Sequence, residues 1–209
     1  AEEAAGPALA ALRSFDAAVA GPGLTTEAGT AAFLRRLLAA RIPLVCDADA
    51  LNAFAGEPSA FGRGARVLTP HPGEAARLLD RSTREIQSDR VAAARRLARE
   101  SRAVVVLKGA ATLVATRDGL VRVNPTGTPL LATAGSGDVL AGALGAYLAG
   151  GLDASDAAVA AAWLHGAAGE GLSERLGDAG LLTSELADAI PVARHALLHP
   201  DETSRKTDD

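Results

Sequence analysis

Short apolar runs alternate with longer amphipathic stretches along almost the whole chain. Asp16–Ala20 reads as a buried strand running into the turn Gly21-Pro22-Gly23. Thr25 or Thr26 is placed to cap a helix over Glu27–Ala40, whose Phe33, Leu34, Leu37 and Leu38 fall on one face. Ile42–Asp47 and Arg66–Thr69 read as further strands, and Pro72 suits the first position of a helix over Gly73–Leu79. Ser82 and Glu85 form a capping box for one long amphipathic helix ending near Arg99. Ala103–Leu107 is continuously apolar, the pattern of a strand covered on both faces. Thr112–Ala115 and Leu120–Val123 flank Asp118-Gly119, a hairpin signal. Beyond a Gly- and Thr-rich stretch from Pro125 to Gly137, a small-residue helix is expected over Asp138–Ala149. Helices over Ala154–Leu172 and Ser184–Ala189, and a short C-terminal one, follow.

Strand–helix alternation of this kind predicts an α/β fold: a mostly parallel central sheet flanked by helices, with one antiparallel hairpin. One domain over 1–199 is expected, followed by a polar tail over 200–209. Ligands of such sheets sit at the carboxyl ends of the strands. Five polar or Gly-rich segments fall there, each after a predicted strand: Gly21–Gly23, Asp47–Asn52, Thr69–Glu74, Lys108–Thr112 and Asn124–Asp138.

Composition narrows the chemistry. A net charge of −4 and 3% aromatic residues give no footprint for nucleic acid. One cysteine, Cys46, excludes a disulfide framework or an all-cysteine metal cluster. No apolar run approaches the roughly 18 residues of a membrane span, and residues 1–20 lack a basic leader. A cytoplasmic protein without membrane contact is expected. The chain begins at Ala1 and contains no methionine, so its N-terminus is expected to be a cut. The basic residues are nearly all arginine, with Lys108 and Lys206 the exceptions, and a lone lysine after an apolar strand invites a chemical role.

Thr133-Ala134-Gly135-Ser136-Gly137-Asp138 opens a helix, where glycines and the helix N-terminus can present N–H groups to an anion. Asp138 could take a proton from an attacking hydroxyl, or serve only as a first-turn aspartate. Lys108-Gly109-Ala110-Ala111-Thr112 could hold nucleotide phosphates, or Lys108 could merely reach water from a strand end. Glu74, in His71-Pro72-Gly73-Glu74, either complements a helix dipole or holds a magnesium-bound water. His71 could bond substrate, whereas His165 reads as a packed residue. Asp47, Asp49 and Asn52 suit either magnesium, ribose hydroxyls or simple turn chemistry. P-loop, serine-hydrolase and zinc-protease signatures are absent.

In order, GPGL (21–24), DADALN (47–52), LTPHPGEAARLL (68–79), VVVLKGAATLVA (104–115), NPTGTP (124–129) and ATAGSGDVLAGALGAYLAGG (132–151) resemble the ADP/ATP-dependent NAD(P)H-hydrate dehydratase family, of ribokinase-like fold. LHGAAGEGL (164–172) and LLTSELADAIP (181–191) extend the similarity, which runs from about residue 8 to residue 198. The resemblance implies a repair lyase that removes water from the S epimer of hydrated NADH or NADPH. ADP or ATP phosphorylates the hydroxyl, phosphate leaves, and the nicotinamide ring is restored. It further implies Asp138 as the base and the amides of Gly135, Ser136 and Gly137 as the phosphoryl cradle. Gly23, His71 and Asp138 would contact the hydrated dinucleotide. Lys108, Gly109, Ala110, Ala111, Thr112 and Gly137 would contact the nucleotide, with Glu74 supporting Mg2+ through water. A homo-oligomer is implied as well.

Departures are Ala134 and Ser136 where the family often has Gly and Thr, Thr25 where it often has Gly, and Thr128 where it often has Asn. The family's opening strand, Gly-rich loop and next strand–helix segment have no counterpart. Two alternatives stay open: a vitamin-alcohol kinase of the same fold, with His71 where such kinases usually carry asparagine, and a non-catalytic nucleotide-binding remnant.

Overall fold

The computed structural model describes residues 5–27, 29–40 and 42–200; the expected tail beyond Pro200 lies outside them. Strands β1 (Ala18–Ala20), β2 (Leu44–Cys46), β3 (Ala65–Leu68), β4 (Val104–Leu107), β5 (Leu113–Ala115) and β6 (Val121–Val123) stand side by side in sequence order. The first four are parallel. β5 runs antiparallel to both β4 and β6, so the hairpin at Asp118-Gly119 belongs to a short meander.

Period-two alternation sends the side chains of β2 to β5 to two apolar layers. Leu44, Cys46, Leu68, Val105 and Leu107 enter one core with helices α2 (Thr30–Leu38), α3 (Asp49–Asn52), α4 (Pro72–Leu79), α5 (Thr83–Ser88) and α6 (Arg90–Ser101). Val45, Val67, Val106 and Val114 enter the other with α7 (Ser136–Ala149) and α8 (Ala154–Leu176). The unbroken apolar run at 103–107 therefore reports two covered faces, as expected. A satellite cluster joins α8 to α9 (Thr183–Leu198) through Leu164, Ala168, Leu186 and Ile190. An N-terminal helix α1 (Ala5–Ala11), which the sequence reading did not anticipate, packs Ala5, Ala8 and Leu9 on the first core.

Several boundaries depart from expectation. The residue capping α2 is Gly29 at φ +100°, with no side-chain cap, and not Thr25 or Thr26. Thr25 is itself left-handed at φ +61°, and its N–H donates to Asp49 Oδ2 at 2.8 Å. The Ser82–Glu85 capping box is present, but its helix ends at Ser88. Asp89 then caps α6 by accepting the Ala92 N–H at 2.9 Å, splitting the expected single helix in two. Conversely, α9 continues through Pro191, where two shorter helices were expected. Proline removes one backbone bond, and both Pro191 and Ala187, four residues earlier, stand at exposed positions, where that loss costs least. The small-residue helix starts at Ser136, one turn's edge earlier than Asp138. Among the described residues no helix is long and apolar enough to cross a membrane.

Candidate active site

Asp47, Glu74 and Lys108 meet where β2, β3 and β4 end. Lys108 Nζ lies 2.8 Å from Asp47 Oδ1 and 3.8 Å from Glu74 Oε2. The two carboxylate side chains are only 2% and 5% exposed, and the lysine 19%. Buried charge persists only when paired and hydrogen-bonded, and here one ammonium serves two carboxylates. The backbone holds the trio in place. Lys108 N–H donates to Pro70 O at 2.8 Å, and Asp47 N–H to Ala20 O at 3.0 Å. Gly21 lets the chain pass: at φ +135°, a Cβ there would stand 1.7 Å from the Asp47 carbonyl oxygen. That glycine answers to backbone packing, the tight-turn reading of Gly21-Pro22-Gly23. Gly23, by contrast, faces open space on the same rim, at φ +73°.

Glu74 and His71 cap each other across the first turn of α4. His71 Nδ1 accepts the Gly73 N–H at 3.0 Å, and Glu74 Oε2 accepts the His71 N–H at 2.7 Å. Nδ1 therefore carries no proton, and the ring's own proton sits on Nε2, 3.5 Å from Glu74 Oε1. His71 is half exposed, so it is both a cap and an accessible rim residue.

The start of α7 closes on this cluster. A Cβ on Gly137 would stand 3.2 Å from Lys108 Nζ and 3.8 Å from Asp47 Oδ2. Gly135 turns the chain at φ +85°. Ser136 N–H donates to Thr133 O and Asp138 N–H to Gly135 O, but the amides of Ala134, Gly135 and Gly137 find no acceptor among the described residues. Unpaired donors at a helix N-terminus beside an ammonium make an anion site. Asp138, the next residue, is exposed. Of the expected cradle, Gly135 and Gly137 present open amides, while Ser136 is buried and its amide is engaged.

His165 supports that turn from below. Its Nε2 is 3.0 Å from Ser136 O and 3.1 Å from Ser136 Oγ, in buried surroundings. Desolvation lowers its pKa, opposed by the Ser136 bond and reinforced by Lys108, so the ring stays neutral. The expectation of a merely packed histidine missed this bond. Asp47 was weighed only as one of several loop polars, yet it is the residue joined to Lys108. Its neighbours take structural duties: Asp49 accepts from Thr25, and Asn52 Oδ1 accepts from Arg77 at 3.0 Å.

Lys108–Thr112 forms an exposed loop with Gly109 at φ +135° and Ala111 at φ +52°. The Thr112 hydroxyl donates to Gly109 O at 3.0 Å and so braces the loop from within. Asn124 is likewise internal, its Nδ2 donating to Ala162 O and Thr126 O. For a divalent cation, Asp47 Oδ2 makes no hydrogen bond among the described residues, and Glu74 Oε2 lies 3.8 Å from the same Lys108 Nζ. Two hard carboxylates without a third ligand suit Mg2+, which keeps waters and shares phosphate oxygens, better than a closed protein cage.

The model of the NAD(P)H-hydrate dehydratase family matches residues 1–192. This chain belongs to that family. The ADP-dependent (S)-NAD(P)H-hydrate dehydratase of Neisseria meningitidis serogroup B is 46% identical over 196 residues, covering 90% of this chain and 66% of that protein. The bifunctional NAD(P)H-hydrate repair enzyme Nnr of Moorella thermoacetica is 43% identical, over 96% of this chain and 38% of its own length. The Bacillus subtilis ADP/ATP-dependent NAD(P)H-hydrate dehydratase, co-crystallised with ATP/Mg2+, superposes with a TM-score of 0.79 at 34% identity, over 86% of this chain and 64% of that one. Hydroxyethylthiazole kinase from Pyrococcus horikoshii, at 23% identity and a TM-score of 0.73, shares the fold. The chain thus spans between about two fifths and two thirds of the dehydratase-family proteins named, and its fold is ribokinase-like.

Proposed function

We propose that this chain removes water from the S epimer of hydrated NADH or NADPH at the expense of ADP or ATP. The observation that carries the reading is the placement of exposed Asp138 directly after the unpaired Gly137 amide, with Lys108 Nζ beside that glycine. Asp138 accepts the proton of the hydroxyl as its oxygen attacks the terminal phosphorus of the nucleotide. The Gly135 and Gly137 amides and Lys108 stabilise charge on the migrating phosphoryl oxygens. Phosphate then departs with the former hydroxyl oxygen, a ring proton is lost, and the nicotinamide double bond returns. Phosphate is a far better leaving group than hydroxide, which is what the nucleotide contributes.

Gly23 and His71, both on the open rim, contact the hydrated dinucleotide, and the Lys108–Thr112 loop and Gly137 contact the nucleotide. Asp47 and Glu74 would hold Mg2+, Glu74 through water, and the metal would supply neutralisation of phosphate charge. The reading carries with it a cytoplasmic enzyme assembled from copies of itself, and light scattering on the purified protein tests the assembly.

Incubation with S-hydrated NADH, Mg2+ and ADP or ATP should restore the absorbance of the reduced ring and release free phosphate. No recovery, either from this chain or from a longer protein containing it, overturns the reading. A stable phosphate ester of a vitamin alcohol would assign the site to a kinase instead.

A further inference from the structure

The Thr112 hydroxyl braces only one carbonyl of the loop 108–112, that of Gly109. Gly109 and Ala111 both sit at positive φ, and Ala111 pays for this with a Cβ. The carbonyls flanking that of Gly109 are held by Arg90, at the start of α6. Arg90 Nη2 donates to Leu107 O at 3.2 Å and Lys108 O at 3.4 Å, and Nη1 donates to Ala110 O. A peptide unit is planar, with its carbonyl and N–H pointing opposite ways. Drawing the Lys108 and Ala110 carbonyls toward the guanidinium therefore turns the Gly109 and Ala111 N–H groups to the other side. The amides of Gly109, Ala110, Ala111 and Thr112 indeed find no acceptor among the described residues.

Two details set this arginine apart from an ordinary surface cation. It stands in the first turn of a helix, where the dipole disfavours positive charge. Among the described residues it forms no ion pair, and its buried Nε has no partner. Its charge is met by carbonyl dipoles alone and stays available to an anion across the loop. Burial lowers its pKa, but from a value so high that it remains charged. Gly109 fits the arrangement too: a Cβ there would stand 3.1 Å from Nη2.

We propose that Arg90 is the positioning residue of the adenine-nucleotide site, holding three carbonyls behind the loop so that its amides face the phosphates. The proposal rests on the reading of 108–112 as the nucleotide loop.

The test is ADP and ATP titration by calorimetry, with Mg2+, of the whole chain and of Arg90→Met, Arg90→Lys and Arg90→Ala, well below each melting temperature. Arg90→Met should raise Kd at least tenfold, and Arg90→Lys, which keeps charge but reaches fewer carbonyls, should fall between. Millimolar guanidinium should restore most of the affinity of Arg90→Ala, while urea at equal concentration should not. In a protein that turns over, the KM for nucleotide should rise while that for the hydrated dinucleotide stays put. If Arg90→Met does not fold, Arg90→Lys and the guanidinium rescue carry the test. A wild-type chain that binds no adenine nucleotide overturns the nucleotide reading and this proposal together. Wild-type binding retained within twofold by Arg90→Met or Arg90→Ala, or an absent rescue, overturns the role of Arg90 alone.

Discussion

Replacing Lys108 by methionine keeps most of the length and volume of the side chain and removes its charge. Asp47 and Glu74, at 2% and 5% exposure, then lose the ammonium they share. Removing one partner of a buried pair costs about 3–5 kcal/mol, because the remaining charge is uncompensated. Lys108 keeps 19% of its surface in water, so the lower end applies, about 3 kcal/mol. For a domain of 150–250 residues this corresponds to a fall in Tm of about 6–12 °C. Thermal melts of the wild type, Lys108→Met, Asp47→Asn and the double variant at neutral pH give the measurement. If the carboxylate and ammonium act on each other, the double variant is more stable than the sum of the singles predicts, by roughly 1–3 kcal/mol. A Lys108→Met chain melting within about 2 °C of wild type, or strictly additive singles, would refute the pairing as an energetic unit.

Asp138→Asn should lower turnover by about 10²–10⁴-fold, as loss of a general base does, with a stability change under about 1 kcal/mol because the residue is exposed at a helix start; kinetics and melts together check it. His165→Leu removes the buried bond to Ser136 and should cost about 1–3 kcal/mol, whereas His165→Gln, which retains an N–H, should recover part of that in denaturant titrations. Burial, with Asp47 adding, pushes the Cys46 thiol from 9.0 up to about 12. The folded state thus binds a proton that the unfolded state releases above its own thiol pKa. This contribution is complete below about pH 9 and is lost on rising toward 12, by up to about 1.4 kcal/mol per pH unit. Cys46→Ala should flatten that part of the alkaline stability profile.

The sheet was legible because its strands are short apolar runs, unbroken in β4 and interrupted only by Arg66 in β3 and Arg122 in β6, each bounded by polar or glycine-rich ends. The hairpin turn and both halves of the Ser82–Glu85 box were legible for equally local reasons. Asp89 was not, since an acidic residue on the exposed stripe of an amphipathic pattern looks the same whether it continues a helix or caps a new one. Pro191 misled in the other direction, because its exposure is what lets the helix run through. In the site, Glu74, Lys108, Gly137 and Asp138 stood out as strand-end or helix-start polars. The partnership of Asp47 with Lys108 spans 61 residues, and that of His165 with Ser136 spans 29. Neither leaves a periodic trace, and both exist only once the sheet stacks strand ends together.

Since every strand lies next to its neighbour in sequence, a chain growing on the ribosome can zip the sheet one edge at a time. By Val123 all six strands have emerged, with α2, α4 and α6 over one side. The valines of the other side (Val45, Val67, Val106 and Val114) wait for α7 and α8. During synthesis this leaves a greasy half-sheet in need of shelter, and the first of the two helices that hide it is the one that brings Gly137 and Asp138 to the strand ends.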